Sequence, residues 1–189
     1  MATVSPSRPP FFNIPNQLTA ARFVLAIVLF GLIAVGDWWI ACIIVFAVAA
    51  LTDWLDGFLA RKLNLGSTLG RNLDPLVDKV LVCGAYIFLL PHGNDQWLWP
   101  WMVTVVVARE LVITGLRGFM ENMGATFGAD WLGKIKMVLQ CAALFAIFWA
   151  LQSPAPWADV VRDILVYGML ASTALSGLQY LWRAFALLR

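Results

Sequence analysis

The stretch from Leu51 to Lys79, LTDWLDGFLARKLNLGSTLGRNLDPLVDK, sets four aspartates, Asp53, Asp56, Asp74 and Asp78, into surroundings that are otherwise oily. The 189-residue chain is 61% hydrophobic, carries ten tryptophans and has a mean hydropathy of +0.80, far outside the range of a water-soluble domain. Apolar runs can be read at roughly 18 to 35, 38 to 60, 74 to 90, 97 to 120, 131 to 151 and 157 to 185. Each is long enough to cross a hydrocarbon core about 30 Å thick. The pattern predicts an all-α integral membrane protein, a bundle of six transmembrane helices. A single membrane-embedded domain is expected over 1–189, with 1–15 as an N-terminal cytoplasmic segment.

No cleavable leader is expected, since the start MATVSPSRPPFF lacks a basic n-region and an apolar h-region. With the N-terminus in the cytoplasm, Arg8, Arg22, Arg61, Lys62, Arg71, Arg117, Lys134, Lys136, Arg183 and Arg189 fall on one side. The opposite connections hold mainly Asp37, Asp95 and Asp159. The positive-inside rule then places both termini on the cytoplasmic side of the membrane. Trp38, Trp39, Trp97, Trp99, Trp101 and Trp157 gather at the far face, where amphipathic rings form an anchoring belt. Cys42, Cys83 and Cys141 lack metal-knuckle spacing and read as small packing residues. His92, in the turn PHGND, reads as a solvated loop residue without a role. A net charge of +2 is too small and scattered for a nucleic-acid partner, whereas membrane lipid headgroups or a phosphorylated substrate suit its lopsided distribution.

Read as helix, Asp53 and Asp56 share a face near the cytoplasmic end of the second span, and Gly57 and Ala60 continue that stripe. Asp74 precedes Pro75, a pairing expected at a helix N-cap, with Asp78 one turn later on the same face. The intervening RKLNLGSTLGRN reads as a short cytoplasmic loop. A carboxylate at the bilayer centre costs about 2.5–3.5 kcal/mol, less towards the interface, and four converging carboxylates repel one another. Hard divalent cations, Mg²⁺ or Mn²⁺ in a shared two-metal site, are the economical neutraliser, because they take oxygen ligands and substrate phosphate. With no thiol or histidine alongside, zinc is disfavoured. Arg61 is close enough in sequence to meet phosphate oxygens, and Gly57 and Gly70 leave room for a bulky ligand. On their own, these residues point to phosphoryl transfer at the cytoplasmic membrane surface. A divalent-cation transporter is the alternative of another class, since intramembrane carboxylates mark ion paths. The confinement of all four acids to the cytoplasmic ends of two helices counts against it.

The spacing Asp53-x-x-Asp56-Gly57-x-x-Ala60-Arg61, eight residues, then Gly70-x-x-x-Asp74-x-x-x-Asp78 resembles the CDP-alcohol phosphotransferase signature without a departure. The resemblance implies a six-helix membrane enzyme, usually a homodimer, dependent on Mg²⁺ or Mn²⁺. Such an enzyme moves a phosphatidyl or similar group from a CDP-linked donor to an alcohol and releases CMP. The resemblance also implies that Asp53, Asp56, Asp74 and Asp78 ligate metal, with Asp78 the catalytic base. It sets Gly57, Ala60, Arg61 and Gly70 in the CDP-lipid site, and by looser positional likeness Asn16, Thr19 and Ser67 as well.

Polar residues are few in the second half: Arg109, Glu110, Thr114 and Arg117, then Lys134 and Lys136. Adjacent residues on a helix do not face each other, so Arg109 and Glu110 are not expected to form a simple mutual pair, although Glu110 can orient one of the arginines. Lys134 and Lys136 point to different sides, so one is expected in the pocket and the other at the headgroups. A cationic pocket beside a diphosphate site argues for an acceptor that carries phosphate. NIPNQLTAAR, ARELVITGLRGF and WLGKIKMVLQ resemble the members of the family that join glycerol 3-phosphate to CDP-diacylglycerol. That resemblance implies Arg109, Thr114, Arg117, Lys134 and Lys136 as acceptor-phosphate ligands. Within the same chemistry, a cardiolipin synthase or a phosphatidylserine or inositol-phosphate lipid synthase is the alternative.

Overall fold

Among the described residues of the computed structural model, six α-helices follow one another: α1 Ile14–Val35, α2 Trp39–Leu63, α3 Thr68–Gly93, α4 Pro100–Asn122, α5 Trp131–Gln152 and α6 Pro156–Leu187. The structure describes the backbone over 14–63, 68–93, 97–123, 131–153 and 155–187, and within those ranges the side chains of 14–16, 53–75, 121–122 and 186–187 lie outside the description. No strand occurs among the described residues. Among the described residues, four stretches are long and apolar enough to cross a membrane, Gln17–Val35, Leu76–Gly93, Trp131–Gln152 and Pro156–Phe185. The apolar part found in α2 is the shorter Trp39–Thr52, within a helix of 25 residues. With 23 residues, α4 spans about 34 Å, but Arg109, Glu110 and Arg117 interrupt it.

Hydrophobicity runs all round these helices because their outer faces meet lipid, so burial rather than polarity marks the inward side. In α1 the buried residues are Thr19, Arg22, Ala26, Leu29 and Ile33, spaced three and four apart, while Phe23, Val24, Ile27 and Val28 face outward. That stripe seats α1 against both α2 and α3; α6 packs on α5 and α4, and α2–α5 and α3–α4 contacts join the two groups. Phe46 of α2 meets Phe145 and Phe148 of α5 edge-on, with ring centroids 4.9 and 6.3 Å away. Phe30 of α1 stacks on Phe88 of α3 at 5.0 Å. Towards the far ends of α2, α5 and α6 an apolar groove of about 540 Å³ is lined by residues including Ile43, Phe145, Trp149, Trp157 and Val161.

The α2–α3 connection departs from the sequence expectation. Because α3 begins at Thr68, Asp74 and Pro75 are the seventh and eighth residues of a helix and not its cap and first turn. The preceding segment, Thr68 to Leu73, has no strong breaker besides Gly70, so helical hydrogen bonding extends back past the proline, whose missing N–H leaves the Arg71 carbonyl without its usual helical donor. Asp74 and Asp78 keep their i,i+4 spacing, now on continuous helix.

At the α1–α2 corner, Gly36 adopts φ 93° and its N–H closes on the Leu32 carbonyl at 3.2 Å, a glycine-terminated helix end. His92 completes this corner and is not a loop residue. It lies in the last turn of α3, its Nε2 is 2.8 Å from the Ile33 carbonyl oxygen, and its ring stands edge-on to Trp39 at 4.9 Å. The ring thus satisfies a carbonyl that the end of α1 leaves open. The tryptophan belt also needs amending: Trp38, Trp99, Trp101 and Trp157 are exposed as anchors, but Trp39 and Trp97 are buried. Trp97 lies under the Arg162 guanidinium, whose Cζ is 4.8 Å from the ring, and Arg162 pairs with Asp159 and Asp163 at 2.6 and 2.9 Å. An aromatic face and two carboxylates let this arginine stay within the bundle.

Gly84 sets how closely α1 and α3 approach, because a Cβ there would enter the Phe30 ring, 2.7 Å from its Cε1. Gly84→Ala is expected to cost about 1–3 kcal/mol through overpacking. Thermal unfolding of the detergent-solubilised protein, followed by tryptophan fluorescence, should show a lower Tm. Gly115→Ala, where nothing lies within 4 Å, should leave it unchanged or slightly raised.

Candidate functional site

The four aspartates fall on two continuous helices, Asp53 and Asp56 on α2, Asp74 and Asp78 on α3, both of which pack on α1. Asp78 is partly buried. The side chains of Asp53, Asp56 and Asp74 lie outside the described residues, as do those of Asn16, Ala60 and Arg61; Gly57 and Gly70 fall in the same segments, and Ser67 is not described at all. Thr19 and Arg22 form the polar end of the buried stripe of α1, and Arg22 is completely enclosed although its sequence position suggested a surface cation.

A second polar group is built from α4 and α5. Glu110, 5% exposed, accepts a hydrogen bond from Lys136 Nζ at 2.5 Å and another from Arg109 Nη1 at 3.0 Å. Arg109 and Glu110 do touch, but not as a simple mutual pair, since Glu110 is shared with Lys136. The arginine stem is long enough to curl its guanidinium back past the roughly 100° offset between successive residues, and both groups gain by pairing away from water. Lys136 from α5 makes the arrangement a triad, with two cations on one carboxylate. Lys134, two residues earlier, is exposed, so the two lysines divide as their spacing foretells. Thr114 Oγ1 donates to the Glu110 carbonyl at 2.6 Å, bonding back along its own helix.

α3 joins this group to the aspartates. Tyr86, fully buried, donates its hydroxyl proton to the Gln140 carbonyl of α5 at 2.9 Å, one turn beyond Lys136. α3, the helix of Asp78, also packs on both α4 and α5, the two helices that carry the triad. α6 closes the opposite wall through a buried line of Thr173, Ser176, Gly177, Tyr180 and Ala184. Arg117 Nη2 donates to Tyr180 Oη at 2.7 Å, and a Cβ on Gly177 would come within 3.2 Å of Arg109 Cγ. Sequence reasoning had passed over Tyr180, Arg22 and this whole face of α6. The available signal was the small and polar run Thr173, Ser176, Gly177, an inward stripe that lipid-facing positions have no reason to carry.

The sequence pattern of a family described as CDP-alcohol phosphatidyltransferase matches residues 12–186. The chain is 37% identical over 179 residues to the CDP-diacylglycerol–glycerol-3-phosphate 3-phosphatidyltransferase of Shigella flexneri serotype 5b (strain 8401), covering 93% of this chain and 96% of that one. The enzyme of the same name from Escherichia coli (strain K12) is 36% identical over the same shares.

Removing the central carboxylate should strand two cations. Glu110→Leu is expected to cost about 3–5 kcal/mol, the penalty for breaking a buried pair, read as a large fall in Tm in detergent. Glu110→Leu combined with Lys136→Met removes both partners of the shorter contact and should recover a substantial part of that loss.

Proposed function

The chain belongs to the CDP-alcohol phosphatidyltransferase family, and from that premise we propose that it transfers the phosphatidyl group of CDP-diacylglycerol to sn-glycerol 3-phosphate. The products are phosphatidylglycerol phosphate and CMP, as the names of its bacterial relatives state for those enzymes. The observation that carries the acceptor choice is the cationic region, Arg109 and Lys136 on Glu110 with Arg117 beside it, adjoining the helix of Asp78. An acceptor with its own phosphate monoester suits it; serine, which brings an ammonium group, does not. The cation-path alternative loses support, because the buried carboxylate found among the described residues, Glu110, is already bound by two cations.

The donor set of Asp53, Asp56, Asp74 and Asp78 fits Mg²⁺ or Mn²⁺: hard oxygens in an i,i+3 pair and an i,i+4 pair on two helices packed against a third. When bound, such ions would offset the charge of the diphosphate and of the departing CMP. Asp78 takes the proton of the primary hydroxyl as its oxygen bonds to the β-phosphorus and the bond from that phosphorus to the CMP oxygen breaks. Arg109, Arg117 and Lys136 hold the acceptor's phosphate, so the hydroxyl rather than the phosphate reaches the reaction centre. Arg61, Gly57, Ala60 and Gly70, with Thr19, Asn16 and Ser67, form the CDP-lipid side. Thr114 and Lys134 stand at the edge of the acceptor side.

The reading places the site and both termini on the cytoplasmic side of a bacterial inner membrane and the chain in a homodimer. The exposed Trp38, Trp99, Trp101 and Trp157 at the opposite end support that orientation. Purified protein given labelled glycerol 3-phosphate, CDP-diacylglycerol and Mg²⁺ should form a labelled lipid and CMP in equal amounts, and chelation should stop it. Lipid formation indifferent to glycerol 3-phosphate, or to chelator, overturns the proposal. Asp78→Asn should lower kcat about 10²- to 10⁴-fold while CDP-diacylglycerol still binds, since a general base supplies about that factor. Arg117→Ala should chiefly raise KM for glycerol 3-phosphate.

A further inference from the structure

Arg109 and Arg117 are eight residues apart on α4, about 12 Å along its axis. Two cations that far apart serve one phosphate only if their side chains are drawn together, and like charges do not do this unaided. Both arginines meet one ring. Arg109 Cζ is 5.8 Å and Arg117 Cζ 5.6 Å from the centroid of Tyr180, and Arg117 also donates to the Tyr180 hydroxyl oxygen at 2.7 Å. The electron-rich ring face attracts each guanidinium and so offsets their mutual repulsion.

The tyrosine itself is held firmly. It is 4% exposed on the inner stripe of α6, where Ser176 bonds to the Thr173 carbonyl at 3.1 Å and Gly177 allows the Arg109 stem to cross closely. Arg109 is poised for a further acceptor: Nη1 is taken by Glu110, while its buried Nε has no hydrogen-bond partner among the described residues. A buried donor in that state is satisfied by an incoming anion. We infer that Tyr180 is a positioning residue of the acceptor site, gathering Arg109 and Arg117 onto a single phosphate monoester from a ring and hydroxyl fixed on α6. The inference rests on the acceptor reading given above and adds to it the residue that sets the geometry. It also bears on selectivity. Two guanidinium groups converging on one phosphorus favour a compact terminal phosphate over a phosphodiester flanked on both sides by carbon.

The test is a steady-state comparison of Tyr180→Phe, Arg117→Ala and the double variant in detergent–lipid micelles, with KM measured for each substrate. Tyr180→Phe keeps the ring and removes the hydroxyl. It should raise KM for glycerol 3-phosphate about five- to tenfold, the scale of one ordinary hydrogen bond open to solvent, with KM for CDP-diacylglycerol and kcat little changed. On the Arg117→Ala background the same substitution should add almost nothing, because the tyrosine acts through that arginine. Tyr180→Leu, which also removes the ring, should raise the acceptor KM further. Equal losses for both substrates, or full additivity in the double variant, would reduce Tyr180 to packing and overturn the inference. Arg117→Ala with a raised acceptor KM beside an unchanged Tyr180→Phe overturns the tyrosine's role alone. No effect of either on the acceptor KM brings down the acceptor reading and this inference together.

Discussion

Within a bilayer a buried charge must find its counter-charge inside the protein, and for Arg109 and Lys136 that requirement is met by Glu110. One carboxylate from α4 receives a lysine from α5 and an arginine from its own helix, which draws α4 and α5 together at the depth where Tyr86 ties α5 to α3. The triad has more positive than negative charge, so the same contact that makes burial tolerable leaves an excess suited to an anion.

The bundle divides its labour between halves. The α1–α3 group is joined by aromatic stacking and by close approach at Gly84, and it carries the aspartates on helices whose spacing rigid rings control. The α4–α6 group is joined by hydrogen bonds and ion pairs, and it carries the cations. α3 is the element where the two groups meet, since it packs on both α4 and α5.

How much of this was legible in the sequence depends on whether local chemistry or distant contact decides a residue's place. The helices, and the placing of Lys134 and Lys136 on different sides of one of them, follow from composition and from the 3.6-residue period; that Lys136 is the buried one does not, and the structure supplies it. The aspartate spacing sufficed to indicate the family, and the match over 12–186 agrees with it. Where α3 starts was misread because Asp-Pro is a familiar helix opening, and nothing local reveals that six residues of helix precede it. His92, Trp39 and Trp97 were misread for a different reason: each is polar enough for an interface, and only α1, α3 and α6 respectively, far along the chain, supply the partner that takes it inside. Tyr180 is of the same kind, 63 residues from the arginine it holds. The positions of the Asp53, Asp56 and Asp74 carboxylates rest on sequence alone.

The groove between α2, α5 and α6 has a lining almost wholly of carbon, with Trp149 and Trp157 at its far rim. In a bilayer such a concavity is filled by hydrocarbon tails, and emptied it would forfeit the dispersion contacts of its walls. The surfactant used for extraction therefore becomes a structural component: a flexible chain that can enter the groove replaces the lost lipid, whereas a bulky rigid amphiphile leaves a void between three helices.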